Sequence, residues 1–441
     1  MYSEVGIRQL ASAKPASAGP SVSRRLANHT SPLMSTGLSV NPNPSVDANP
    51  PAASKHLISS RVREIRPSGI RAFFDLNATG GDIIALGVGE PDFVTPARVR
   101  EACIQALREG RTQYTSNAGL MELREELSAY LAGSFDLDYD PKHEIMITVG
   151  SSEAVDLALR AVIDPGDEVL IPAPSYIAYE PITHLHGGTI VEVEASAETQ
   201  FKLTAEALEA KITPRTKAIM INFPCNPTGS VMTRQEWLPI IDVVIKHNLV
   251  VISDEVYAEL TYGNKHVSIA SLPGMKERTI VISGFSKAFA MTGWRVGYAC
   301  GPRELIAGML KIHQYTVMCA PTLAQIAALE SLRYGLSAKD EMMASYNERR
   351  KLFVDGLQAI GLPCHEPEGA FYAFPSVASS GLSSEVFALR LLKEAEVAVV
   401  PGHVFGSGGE GYIRCSYAAS RSNLEKALER MAKFMQAARP V

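Results

Sequence analysis

From His56 onward the chain alternates short apolar runs rich in β-branched residues with stretches whose apolar positions recur every three to four residues. Among the runs are Ile145-Met146-Ile147, Val169-Leu170-Ile171, Ala218-Ile219-Met220-Ile221 and Leu249-Val250-Val251-Ile252. Each is continuous rather than alternating, which is the pattern of a strand buried on both faces of a parallel sheet. Amphipathic helices are predicted over Pro96 to Leu107, Leu120 to Leu131 and Glu153 to Val162. Strand and helix in turn mean parallel strands joined by helical crossovers, an α/β architecture. Nearer the C-terminus, Gly369-Ala370-Phe371-Tyr372-Ala373-Phe374 and Ile413-Arg414-Cys415-Ser416 alternate, so half-buried antiparallel strands are expected there.

Residues 1–55 lack this patterning. They are rich in Ser, Ala, Pro and Asn, and a disordered leader is expected. Arg8, Lys14, Arg24 and Arg25 against Glu4 and Asp47 suit an organellar transit peptide, but Pro42, Pro44, Pro50 and Pro51 break any amphipathic helix. A dispensable leader, or a start at Met34, stands level with targeting, and the expected location is cytoplasmic, with an organelle as the alternative.

Composition narrows the classes. At 441 residues two or three domains are expected. The formal net charge of −5 and the absence of a basic patch argue against nucleic acid. The most apolar windows, such as Leu238 to Ile245, are short and interrupted by charge, so no membrane span is expected. Cys103, Cys225, Cys300, Cys319, Cys364 and Cys415 form no C-x-x-C pair and suggest buried thiols in a reducing compartment. His184 and His186 show no metal-ligand spacing with Cys or acids, so no metal is expected.

The candidate chemistry begins at Ser283-Gly284-Phe285-Ser286-Lys287-Ala288-Phe289-Ala290-Met291-Thr292-Gly293-Trp294-Arg295. One lysine sits among small residues, with an arginine eight positions on. A lysine amine becomes a nucleophile where desolvation or a neighbouring cation lowers its pKa, and small neighbours leave room for a flat aldehyde. An arginine nearby can hold a phosphate through its fork of donors. Upstream, the run ending Ile252-Ser253-Asp254-Glu255-Val256-Tyr257 delivers Asp254 at the carboxyl end of a buried strand, where it either serves a site or caps a following helix. Asn222-Phe223-Pro224-Cys225-Asn226-Pro227-Thr228-Gly229 follows another strand and is by itself a loop. At Gly150-Ser151-Ser152-Glu153 a strand turns into a helix whose N-terminus suits an anion, and the two serines could equally be plain N-caps, a compatible use. Tyr176 is a core aromatic or a stacking platform, and Arg414 wants a partner in its strand, by default a structural salt bridge.

In this order the motifs resemble the class I and II pyridoxal-phosphate aminotransferases, in look the branch of aspartate, aromatic and N-acetyl-diaminopimelate aminotransferases. The resemblance spans about Val62 to Phe434. It implies the fold type I of pyridoxal-phosphate enzymes: a large domain over 96–333 on a mostly parallel seven-stranded sheet, with Val296 to Cys300 as its antiparallel strand. A smaller α+β domain would combine 56–95 with 334–441. It further implies that Lys287 bonds pyridoxal 5'-phosphate, gives it up to an incoming amine and then moves the α-proton. Asp254 would face the cofactor's ring nitrogen, Tyr257 and Asn226 its phenolic oxygen, and Tyr176 would stack on the ring. Ser151, Ser152 and Arg295 would hold the phosphate, together with Tyr114 from the second subunit of a homodimer whose sites are shared, and Ser286 would also contact the cofactor; otherwise Tyr114 is a loop tyrosine packing on its own domain. Gly89, in Gly89-Glu90-Pro91-Asp92-Phe93, would give the substrate room, and Arg414, with Asn226, would bind its carboxylate. Gly284 departs from relatives that carry a phosphate-binding serine three residues before the lysine. The implied partners are an amino acid and a 2-oxo acid, exchanged by a ping-pong route with 2-oxoglutarate and glutamate as one pair. A carbon-sulfur β-lyase would share every cofactor residue. A non-catalytic pyridoxal-phosphate-binding regulator would need a helix-turn-helix ahead of the fold, and the proline-rich leader offers none.

Overall fold

The computed structural model describes residues 57–67 and 82–438; the expected leader over 1–55, and part of the segment up to residue 95, lie outside them. Twelve strands are present among the described residues: β1 Ile84–Ala85, β2 Ile145–Thr148, β3 Glu168–Ala173, β4 Thr189–Glu194, β5 Thr216–Asn222, β6 Val250–Asp254, β7 Thr279–Gly284, β8 Gly297–Cys300, β9 Tyr372–Ala373, β10 Val397–Ala398, β11 Val400–Pro401 and β12 Ile413–Ser416.

Seven of them form one sheet in the order β2-β8-β7-β6-β5-β3-β4. Strand β8 runs antiparallel to both its neighbours, and the remaining pairs are parallel. The continuous apolar runs are explained by cover on both sides. Met220, Ile252, Ile280 and Ile282 pack with Ala154, Leu157 and Ala158 of the helix Gly150–Val162. Their neighbours Ile219, Ile221 and Val251 pack with Trp237, Ile240 and Val244 of the helix Arg234–Lys246. Alternation of side chains along a strand sends each set to its own face.

Parallel strands put their carboxyl ends on one edge. Asn222 pairs with Asp254, and Asp254 with Ile282 two residues before β7 ends, so three strand termini meet there. A ligand cleft in an open α/β sheet forms at this edge.

A three-stranded antiparallel sheet, β11-β12-β9, and a parallel pair, β1 with β10, lie apart from the large sheet. Two expectations change here. Only Tyr372–Ala373 of the Gly369–Phe374 run is a strand, and it is buried on both faces, as is all of β12. Ile413 and Cys415 join the main core, whereas Arg414 pairs with Val400, which belongs to a second cluster with Phe374 and Phe405. Arg414 is therefore 2% exposed, not half-buried. Among the thiols, Cys225, Cys300 and Cys415 are buried as expected, while Cys103, Cys319 and Cys364 are only partly covered. No helix among the described residues is long and apolar enough to cross a membrane.

Candidate active site

A cleft of about 320 Å³ opens at the carboxyl edge of the large sheet, and eleven of the twelve candidate residues line it: Gly89, Ser151, Ser152, Tyr176, Asn226, Asp254, Tyr257, Ser286, Lys287, Arg295 and Arg414. Tyr114 does not line it. It is 79% exposed, so it is not a tyrosine packed into its own domain either.

Lys287 lies in a single helical turn, Phe285–Ala288, directly after β7. That turn lifts the side chain into the cleft, where Nζ donates to the Gly89 carbonyl oxygen at 2.6 Å. Burial is the main cause that pushes its pKa down to about 8; Glu90 opposes the shift, Arg414 and Arg295 add to it, and Asp254 opposes it. The amine is thus far nearer its neutral, nucleophilic form than a solvated lysine.

Asp254 ends β6 and is 5% exposed. No helix follows it: residues 256–259 form a turn, and the Val256 N–H donates to Oδ1 at 3.2 Å, so the helix-cap reading does not hold. The Tyr179 hydroxyl donates to Oδ2 at 2.7 Å. Burial raises the Asp254 pKa to about 6 against these two hydrogen bonds. A carboxylate kept in a dry cleft at some cost can serve a cationic ring nitrogen.

Among the described residues that line the cleft, only Arg414 keeps a buried side-chain atom without a hydrogen-bond partner. Nη1 donates to Asn226 Oδ1 at 2.8 Å and Nη2 to the Gly87 carbonyl at 2.7 Å, while Nε has no partner. Its guanidinium lies 4.5 Å from the Tyr372 ring centre and 5.0 Å from that of Phe405. No acidic side chain forms an ion pair with it among the described residues, which removes the structural salt bridge. A buried cation without a counter-ion suits an anionic ligand. The bond to Arg414 occupies the Asn226 carbonyl oxygen and leaves its NH₂ for another acceptor.

The helix expected from Glu153 begins at Gly150, because the Glu153 carboxylate reaches back to the Val149 N–H at 2.5 Å. Ser151 and Ser152 lie inside the first turn and neither caps it. Gly150 has φ +74, and a Cβ there would stand 2.5 Å from Arg295 Nη2. The free N–H groups of this helix and the Arg295 guanidinium therefore converge, a cradle for a dianion. Tyr176 packs edge-on to Tyr179, with ring centres 5.5 Å apart. Ser286, 7% exposed, completes this side.

A Cβ on Gly89 would stand 2.6 Å from the Tyr372 hydroxyl, so a side chain there meets Tyr372 before any substrate. Tyr372 and Tyr179 carried no role in the sequence, although Tyr372 stands in a run already singled out and Tyr179 lies three residues after Tyr176. Asn222 is a third such residue. Its side chain donates to the Asp254 carbonyl at 2.8 Å and accepts from the Asn226 N–H at 2.9 Å, tying two loops together.

This donor set fits pyridoxal phosphate: an aldehyde can meet Lys287, a phosphate the helix N-terminus and Arg295, a ring nitrogen Asp254. The chain belongs to the family of class I and II aminotransferases, whose family model matches residues 81–431. Its fold is the fold type I of pyridoxal-phosphate enzymes, and the protein is a pyridoxal-phosphate-dependent transaminase. It is similar to "Putative aminotransferase YugH" of Bacillus subtilis, 57% identical over 86% of this chain and 98% of that one. An aspartate aminotransferase of Pyrococcus abyssi is 46% identical over the same shares. The crystal structure of an aromatic aminotransferase from Pyrococcus horikoshii has a TM-score of 0.79 at 44% identity, over 83% of this chain and 99% of that one.

Proposed function

We propose that this transaminase moves the amino group of an L-amino acid to a 2-oxo acid in two half-reactions through one site, with 2-oxoglutarate and glutamate as one pair. The observation that carries the reading is the pairing in one cleft of a nucleophilic lysine, Lys287, with a buried arginine, Arg414, that lacks a counter-ion among the described residues. When bound, pyridoxal phosphate supplies an aldehyde that joins amines covalently and a ring that withdraws electrons from the bonds at the α-carbon.

The chain's own residues do the rest. Arg414 takes the α-carboxylate, so that the α-carbon of the substrate lies near Lys287. The Lys287 amine, neutral when its proton is lost, accepts the α-proton and later returns one. Asp254, ionised above about pH 6, holds a positive charge at the ring nitrogen. The Asn226 amide and the Tyr257 hydroxyl face the phenolic oxygen, and Tyr176 covers the ring. Ser151, Ser152, Ser286 and Arg295 hold the phosphate, and Tyr114, exposed in one chain, reaches the partner's phosphate in a homodimer.

Two regions serve this chemistry: 96–333, which carries the whole seven-stranded sheet, and 56–95 with 334–441, which carry the smaller sheets and Arg414. The location we propose is cytoplasmic. The test of function is a panel of amino donors, acidic and aromatic among them, with 2-oxoglutarate as acceptor. Glutamate formed in step with the donor's oxo acid supports a transaminase. Pyruvate released from a sulfur amino acid without any acceptor would mean a carbon-sulfur β-lyase instead.

A further inference from the structure

The hydroxyls of Tyr257 and Tyr372 lie 2.8 Å apart, and the residues are 3% and 1% exposed. The two rings are held firmly. Phe371 packs edge-on against both, at 5.4 Å from Tyr257 and 4.9 Å from Tyr372, and Arg414 covers the Tyr372 ring. Two hydroxyls that share one hydrogen bond leave one proton over. If Tyr372 donates, the remaining proton is that of Tyr257; if Tyr257 donates, the remaining proton is that of Tyr372, whose oxygen faces Gly89, 2.6 Å from where a Cβ there would stand.

We propose that Tyr372 is a positioning residue: its hydroxyl donates to Tyr257 and so turns the Tyr257 proton toward the cofactor's phenolic oxygen. This rests on the reading of the cleft as the pyridoxal-phosphate site. An oxygen that accepts one hydrogen bond becomes a stronger donor in the next, so Tyr372 also strengthens the bond that Tyr257 makes. The ionisable groups that face the pair are Arg414, Asp254, Lys287 and Tyr176. All are retained in a Tyr372→Phe variant, which keeps the ring under Arg414 and removes only the hydroxyl.

With the cofactor bound, a donor to the phenolic oxygen would stabilise negative charge there and make a proton on Lys287 Nζ easier to lose. Loss of that donor therefore raises the pH midpoint at which the visible absorption of the cofactor-loaded protein changes. Tyr257→Phe should raise it by about one pH unit or more, and Tyr372→Phe in the same direction by about 0.2–0.5 unit. The double variant should match Tyr257→Phe alone, because Tyr372 acts through Tyr257. An unchanged midpoint in Tyr372→Phe, or a double variant whose shift is the sum of the two, overturns the proposal. So does a weakened KM for the amino acid with the midpoint in place, which would make Tyr372 a support for Arg414. A wild-type protein that gains no visible band with pyridoxal phosphate overturns the reading of the site itself, a different result from an insensitive Tyr372→Phe.

Discussion

The Lys287 side chain donates to the Gly89 carbonyl oxygen at 2.6 Å, joining the turn after β7 to a segment 198 residues earlier in the chain. The bond fixes the amine in the cleft, and burial does the rest by lowering its pKa to about 8. A lysine at 10.5 moved to about 8 has roughly 300 times more neutral amine at pH 7. The rate at which cofactor-free protein takes up pyridoxal phosphate should therefore rise about tenfold per unit below pH 8 and level off above it. A rate still climbing in proportion past pH 10 would show a solvated lysine.

Asp254 makes a prediction about stability. Its folded pKa of about 6 stands above the unfolded value of 3.8, so the folded chain binds the proton more tightly. Its protonated form costs nothing extra below about pH 4, and stability is lost as pH rises from about 4 to about 6. Asp254→Asn should gain stability over the cofactor-free wild type across that window, by up to about 3 kcal/mol at neutral pH, read as a higher Tm. The same variant should lose most of its transamination, which marks a residue kept for chemistry and not for the fold. A Tm difference independent of pH would contradict the burial of the ionised carboxylate.

Arg414→Ala should lower kcat/KM for amino acid and oxo acid by roughly 100- to 1,000-fold, with most of the loss in KM. Arg414→Lys should recover only part, since one ammonium cannot replace the fork. Steady-state kinetics decide, and an unchanged KM would return Arg414 to a structural role.

The central sheet was legible because continuous apolar runs can only be buried on both faces, and the strand-end residues Asn222 and Asp254 follow from where those runs stop. The cleft was legible through Lys287 and its small neighbours. Local pattern alone did not tell that Arg414 is fully buried, because its cover comes from Phe405 and Tyr372, neither of them adjacent in sequence. Tyr179 and Tyr372 escaped for the same reason: their hydroxyls matter only through Asp254 and Tyr257, which the fold brings to them across 75 and 115 residues. Gly89 was assigned room for a substrate, and the contact that excludes a side chain there is with Tyr372.

Tyr114 tests assembly. A Lys287→Ala subunit paired with a Tyr114→Ala subunit rebuilds one intact site per hybrid dimer and ruins the other. With equal amounts and free exchange about half the dimers are hybrids, so activity should approach roughly a quarter of wild type above the parents' background. No rescue, with Tyr114→Ala itself impaired and exchange verified, would mean that Tyr114 serves its own chain.

The central claim is that Lys287 carries the cofactor. Borohydride reduction of the protein loaded with pyridoxal phosphate makes that link permanent, and mass spectrometry of the peptides then locates it. The account predicts one modified residue, Lys287, and no visible band or modified peptide after Lys287→Ala in a folded protein. Stoichiometric labelling of another lysine, or a Lys287→Ala protein that still binds the cofactor covalently, would contradict it.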